Sequence, residues 1–191
     1  MIEAVIESLI NSITTLVVGK AITFTASKRV KRISTPQVVK EISEETSLIL
    51  GGELGENLIG AYTFYKETNN LLTLENFIKR ATHDNEITFV IEISRKAEDD
   101  VRLQLGRPVE YVVSSNREIK PDEFPSRARR ISDFIRTINT VHKGPRIHLI
   151  LSTPVVMGFQ IGQYVGLSHY NIDLYHFEIG SYQRVPSVMR A

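Results

Sequence analysis

The feature that most constrains the fold is a regular alternation of apolar runs with helical patterns between residues 87 and 177. Four apolar runs have the length of strands, and they lie at residues 87–93, 109–113, 147–151 and 172–177. Helical patterns join these runs, and they lie at residues 96–105, at residues 126–142 and from Pro154 onward. Strands that alternate with helices in this way pair in parallel through right-handed crossovers. The sequence therefore predicts an α/β fold with a Rossmann-like parallel sheet and helices on both faces.

Small polar or basic residues follow three of the four apolar runs. They are Ser94, Arg95 and Lys96 after the first run, Ser114 and Ser115 after the second, and Ser152, Thr153 and Pro154 after the third. The carboxyl ends of parallel strands meet at one edge of a sheet, which is where ligands bind in open α/β folds. Hydroxyls and helix-start amides can hold an anion there, and the basic side chains can neutralise it. The alternative is that these tips are polar because they meet solvent and cap helices.

Aromatic residues surround the end of the fourth apolar run. Phe177 and Tyr182 could each stack on a nucleic-acid base at the same edge of the sheet. Ordinary core packing explains them equally well, and it is the favoured interpretation for Tyr175, which shares a face with Phe177.

A basic cluster opens the longest helical pattern. Arg127, Arg129 and Arg130 lie where the helix macrodipole disfavours positive charge. Such a cluster indicates either a phosphate site or a partner contact, and a solvated helix face is the simpler explanation.

Composition excludes several classes of protein. The chain has 191 residues and a net charge of +1, which argues against a protein that coats long nucleic acids. Because it contains no cysteine, disulfides and thiolate zinc sites are excluded, and a cytoplasmic location is expected. Residues 2–17 have apolar side chains at helical spacing together with charges, which predicts an amphipathic helix with neither a membrane span nor a signal peptide.

No known catalytic or metal-binding motif is present in the sequence. The five histidines have no metal-ligand spacing, and the glycine patterns of nucleotide-binding loops and hydrolase elbows are missing. Residues 51–55 are rich in glycine but follow no convincing strand, so they are interpreted as a turn. We therefore expect no cofactor, no bound metal and no catalytic activity.

The last part of the chain resembles the SAVED domain family. The resemblance rests on Ile147-His148-Leu149, Pro154, Phe159-Gln160-Ile161-Gly162, Leu174-Tyr175 and Tyr182-Gln183-Arg184-Val185-Pro186. It is strongest over residues 146–186, extends back to about Ile87, and is not seen before that residue.

Several expectations follow from this resemblance. SAVED domains are CARF-like sensors of cyclic oligonucleotide second messengers in bacterial anti-phage defence, in CBASS and type III CRISPR systems. The resemblance thus implies a cyclic oligoadenylate type of ligand held at the strand tips, self-association when the ligand binds, and an effector that is not identifiable in this chain. The residue patterns themselves divide the chain into two parts of unequal character, a helix-rich part at residues 1–84 and a sensing part at residues 85–191. The helix-rich part would be a diverged half of the sensor or a region that docks on a partner.

Two other functions remain compatible with the residues. The first is a hydrolase or nuclease that acts on nucleotides at the same sheet edge, with Asp173, His176 and Glu178 as its nearest candidate groups. The second is a non-catalytic assembly subunit.

Overall fold

A computed structural model describes residues 48–70, 72–81, 85–166 and 170–185 of the protein. Within these residues the strands are β1 (Leu48–Gly51), β2 (Glu86–Glu92), β3 (Tyr111–Ser115), β4 (Arg146–Ser152), β5 (Asn171–Glu178) and β6 (Ser181–Arg184). The helices are α1 (Glu53–Thr68), α2 (Leu72–Ala81), α3 (Glu98–Leu105), α4 (Phe124–Val141) and α5 (Val155–Val165), with a short 3₁₀ turn at Pro121–Glu123.

The strands form one mixed sheet in the order β1-β3-β2-β4-β5-β6. The four central strands pair in parallel, as the alternation of patterns predicts. Antiparallel strands flank them, β1 against β3 and β6 against β5. These two edge strands were not predicted.

The chain reverses its direction of travel across the sheet between β2 and β4. From β2 the chain moves through α3 to β3 on one side, and it then returns through α4 to β4 on the other. Helices therefore lie on both faces. Val101 of α3 packs with Val90 on one face, whereas Phe134 of α4 and Met157 of α5 pack with Phe89 on the other. In open α/β sheets, the crevice at such a reversal is the usual place for a ligand.

The larger core centres on three aromatic rings. Phe89, Tyr111 and Phe134 contact one another edge to face, with ring centroids 5.6 to 6.3 Å apart. Such pairs add about 0.5–1.5 kcal/mol each beyond the apolar area they bury. This packing fixes α4 on β2 and β3, and so fixes the position of the loop that enters α4.

The glycine-rich segment was interpreted wrongly as a turn, because it joins a strand to a helix. Gly52 has a φ of +85°, and a Cβ there would lie 2.7 Å from the Glu110 carbonyl oxygen. Only glycine permits this approach. The amides of Leu54 and Gly55 then donate to the Glu110 carbonyl. These amides at the start of α1 are already bonded to a backbone carbonyl, so they are not available to bind an anion.

Residues before position 84 share the larger core with the rest of the chain. Leu58 of α1 and Leu74 of α2 are buried in the same cluster as Phe134, and α2 covers the helix predicted at residues 74–80. The division into residues 1–84 and 85–191 stays a prediction, and the amphipathic pattern at residues 2–17 lies outside the described residues. No helix in the described ranges is long and apolar enough to cross a membrane.

Candidate functional site

Three polar residues form a row across the carboxyl ends of the central strands. Ser114 of β3 and Ser152 of β4 both lie in register with Glu92 of β2. The amide of Ser94 donates to the Ser152 carbonyl at 2.8 Å, and the Ser152 hydroxyl donates to the Arg95 carbonyl at 3.0 Å. The prediction that these serines gather at one edge is confirmed.

Arg95 connects this row to the β5–β6 hairpin. Its guanidinium donates to Asp100 at 2.8 Å and to the Tyr182 hydroxyl at 3.1 Å. The same group lies 4.4 Å from the centre of the Phe177 ring, and the rings of Phe177 and Tyr182 are 5.0 Å apart. Three residues predicted separately from the sequence, Arg95, Phe177 and Tyr182, therefore form one cluster, which we call the Arg95 cluster.

The Arg95 cluster is held in place but remains open to solvent. The bond to Asp100 is the main reason that the pKa of Arg95 rises above its usual value, so the side chain stays charged. Burial raises the pKa of the Tyr182 hydroxyl, so it stays protonated and can act as a donor. Phe177 is 41% exposed and Arg95 is 45% exposed. A planar ring can therefore reach both groups from outside.

A second tie fastens the hairpin to α3. The Gln104 side chain accepts a hydrogen bond from the Tyr182 amide at 2.9 Å and donates one to the Gly180 carbonyl at 3.1 Å. Tyr182 is thus fixed through both its backbone and its hydroxyl, and its orientation toward Arg95 is set before any ligand arrives.

The start of α3 is acidic and already occupied. The Glu92 carboxylate accepts hydrogen bonds from the amides of Ala97 and Glu98, at 2.8 and 3.2 Å. A cavity of about 200 Å³ adjoins it, lined by Glu92, Lys96, Glu98, Asp99 and Asp100. Lys96 is the one cation among these lining residues, so a phosphate is disfavoured there. Glu92 was not singled out from the sequence, although an acid a few residues before a helix start is the signal of such a cap.

The start of α5 has the opposite character. No side chain caps it, and its first turn contains no acidic residue. A Cβ on Gly158 would lie 3.2 Å from the Thr153 hydroxyl oxygen, so this hydroxyl lies against the first turn of the helix. Pro154 directly precedes the first residue of α5. The Thr153 hydroxyl therefore lies at the positive end of the helix macrodipole. This helix start suits an anion, whereas the start of α3 does not.

The carboxyl end of β3 is hydrogen-bonded to the turn that follows it. The Ser115 hydroxyl donates to the Arg117 carbonyl at 2.6 Å, while Ser114 lies beside Glu92 in the row.

The basic cluster of α4 is only in part a solvated face. Arg127 is only 7% exposed, Arg130 is partly buried and Arg129 is exposed. Sequence spacing shows that a helix carries charge, but it does not show how deeply a neighbouring loop covers that charge.

Two residues of the family resemblance meet elsewhere in the sheet. Tyr175, which packs against the smaller core cluster, has its hydroxyl 3.0 Å from the His148 ring. His148 is buried and also contacts Arg107. Asp173 lies 3.0 Å from Arg146 in a neighbouring ion pair. These contacts stabilise the amino-terminal half of β4 and β5, away from the strand tips.

The groups considered for hydrolysis are not assembled. Asp173 is buried between two arginines, with Arg184 at 2.6 Å as the second, whereas His176 and Glu178 are exposed on β5. No group of acidic or histidine side chains in the described part of the chain has the arrangement of a metal site.

The fold is an open α/β domain with helices on both faces of a mixed sheet. A family model described as "SMODS-associated and fused to various effectors sensor domain", abbreviated SAVED, matches residues 68–188. The match covers more than half of the chain, and the chain belongs to the SAVED family. The resemblance seen at residues 146–186 is confirmed, and it begins earlier than Ile87.

A solved structure has a similar arrangement over part of its length. It is the Acinetobacter baumannii Cap4 SAVED/CARF-domain containing receptor with the cyclic trinucleotide 2′3′3′-cAAA, at 18% sequence identity and a TM-score of 0.48. The similarity covers 53% of this chain and 24% of that chain. This protein therefore aligns with about a quarter of that receptor. No curated protein matches the sequence.

Proposed function

We propose that this protein is a sensor that binds a cyclic oligonucleotide of the oligoadenylate type at the carboxyl edge of its sheet. The observation that supports it most is the Arg95 cluster, a cation stacked on Phe177 and bonded to Tyr182 beside the Ser152 tip. Cations that neutralise phosphate and aromatic faces that stack on bases are what a nucleotide site requires. Membership of a family of sensor domains supports the same function.

The site divides the work between two regions. A phosphodiester would be held at the start of α5 by the Thr153 hydroxyl and the backbone amides after Pro154, which no side chain caps. A base would stack at the Arg95 cluster, where each stacked base is worth about 1–3 kcal/mol. Ser94, Ser114, Ser115 and Lys96 form the rim. Lys96 contributes long-range attraction that offsets the acidic groups around the start of α3.

Signalling would proceed by assembly rather than by chemistry. A ring of phosphates presents two or more equivalent faces, so one ligand can lie between two copies of the domain. Binding would then bring effectors together, whether they are fused to the domain or separate from it, in response to viral infection. The protein would itself leave the messenger intact.

Calorimetric titration with cyclic di-, tri- and tetra-adenylates tests the proposal. A ligand at a hundred times its dissociation constant adds about 2.7 kcal/mol to the free energy of unfolding, which a thermal shift also detects. The double variant Arg95→Ala, Lys96→Ala should bind at least about tenfold more weakly, since it disrupts the cluster on which a base would stack, at about 1–3 kcal/mol per base, and removes the long-range attraction of Lys96.

The matched control is Arg136→Ala, Lys143→Ala, which removes the same charge from α4 and the turn that follows it. Its affinity should stay within about twofold of the wild type. Equal affinity of the two double variants would move the ligand away from the Arg95 cluster. Absence of binding by any ring, or turnover of the ring with divalent metal, would refute the proposed function.

A further inference from the structure

Arg127 is a buried cation at the beginning of α4 and Arg130 is a half-buried one, and the described residues place little negative charge beside them. Arg127 is 7% exposed, and one of its terminal nitrogens lies 3.1 Å from Glu123. Its Nε is buried without a hydrogen-bond partner, and so is the Nη1 of Arg130. Two buried donors therefore point at no acceptor.

The one acid beside them is largely committed to another residue. Both carboxylate oxygens of Glu123 accept from Arg117, at 2.6 and 2.9 Å, and one of them also accepts from the Lys120 amide at 3.2 Å. These bonds, with Arg117 first, lower the pKa of Glu123 to about 2. A single carboxylate thus serves two guanidinium groups, and within the described ranges no acid pairs with the third, on Arg130.

The pKa of Arg130 is consistent with this shortage of negative charge. Burial and, after it, the charge of Arg127 lower the pKa of Arg130, and no acid raises it. An uncompensated buried cation is costly, and the helix macrodipole adds to the cost at this position. An anion bound between the two side chains would remove both costs. The planar fork of a guanidinium matches the oxygens of phosphate well.

The pair lies at the same edge of the sheet as the Arg95 cluster. Ser115 at the end of β3 bonds to Arg117, Arg117 pairs with Glu123, and Glu123 pairs with Arg127. This chain of contacts connects a strand tip directly to the beginning of α4.

We propose that Arg127 and Arg130 form a second anion subsite, which takes a phosphate group. This inference rests on the proposed function in one respect, since the phosphate assigned here is a further phosphodiester of the cyclic ligand. Free phosphate has the same chemistry, and the experiment separates the two sources.

The test compares Arg130→Gln with Arg129→Gln. The second variant removes the same charge one residue away, from an exposed position. Melting temperatures are measured with pyrophosphate and with sodium chloride at equal ionic strength, and affinities with cyclic tri-adenylate by calorimetry. Wild type and Arg129→Gln should be stabilised by pyrophosphate beyond the salt effect, whereas Arg130→Gln should not.

Affinity for the ring should fall about tenfold or more in Arg130→Gln and stay within about twofold in Arg129→Gln. Without any anion, Arg130→Gln should melt no lower than wild type, because it removes an unpaired buried charge. A marked loss of stability in that variant would overturn the inference, and so would equal responses of the two variants to both probes. If stabilisation by pyrophosphate depends on Arg130 but no cyclic oligonucleotide binds, then the subsite binds free phosphate and the proposed function is wrong.

Discussion

The bond between Arg95 and Tyr182 should have a measurable coupling energy. The perturbations are Arg95→Ala, Tyr182→Phe and the double variant. Tyr182→Phe removes only the hydroxyl that accepts from Arg95 at 3.1 Å and leaves the contact with Phe177. A hydrogen bond to a charged group is worth about 1.5–3 kcal/mol. Because Arg95 is 45% exposed, solvent screens its charge, and we expect a coupling of about 0.5–1.5 kcal/mol, below that range.

Arg95→Ala should cost more than this coupling alone. It also removes the contact with Phe177, worth about 0.5–1 kcal/mol at an exposed site, and the ion pair with Asp100, worth about 0–1 kcal/mol. The free energy of unfolding should therefore fall by roughly 1–3.5 kcal/mol. High salt should reduce the Asp100 contribution and leave the Tyr182 coupling nearly unchanged.

Urea unfolding of the four proteins measures the cycle. The slope of the free energy with urea must be the same in all four, since a changed slope indicates a changed unfolded or native state. Single-variant costs that add to the double-variant cost within about 0.3–0.5 kcal/mol would mean that the two residues act independently. That result would refute the connection between the strand tip and the hairpin.

Two further predictions concern the scaffold. Gly52→Ala should destabilise the protein by more than about 2 kcal/mol, because its Cβ would meet a backbone carbonyl at positive φ. Gly60→Ala has nothing within 4 Å of its Cβ and should stabilise α1 by about 0.5–1 kcal/mol. Thermal unfolding of the two variants checks both predictions, and equal melting temperatures would contradict the close approach at Gly52. Burial lowers the pKa of His148 below its usual 6.5, so the unfolded chain takes up the proton first. The contribution of neutral His148 to the free energy of unfolding is complete above pH about 6.5 and is lost as the pH falls below that value. His148→Gln should therefore weaken the dependence of the free energy of unfolding on pH below about 6.5. An equal effect from His176→Gln, at an exposed position, would contradict this prediction.

Most of the central sheet was predictable because β2, β3 and β4 are largely buried. Near-continuous apolar runs, such as the one ending at Leu151, are what a central parallel strand requires. The edge strands give no such signal, since β6 reads Ser181–Arg184 and only Tyr182 among its residues is buried. The other edge strand, β1, also has only four residues. The glycines that follow it are typical of a turn, so its sequence does not predict a strand.

The candidate site was predictable in its parts but not in its connections. Residues at strand tips can be assigned to one edge from the alternation alone, as Ser94 and Ser152 show. The contact of Arg95 with Tyr182 joins residues 87 positions apart, and no periodicity encodes it. The burial of Arg127 is a property of the folded molecule, and no spacing in the sequence encodes it.

The antiparallel strands that close the described sheet also affect how copies of the protein can meet. An open sheet edge is a template for pairing with another chain, and proteins limit this risk with short or charged edge strands. Both outer strands of this sheet have only four residues, and β6 ends in Arg184, whose charge is bound by Asp173. Growth of the sheet from copy to copy is therefore disfavoured. The assembly proposed above would therefore need helix and loop surfaces rather than the sheet edges.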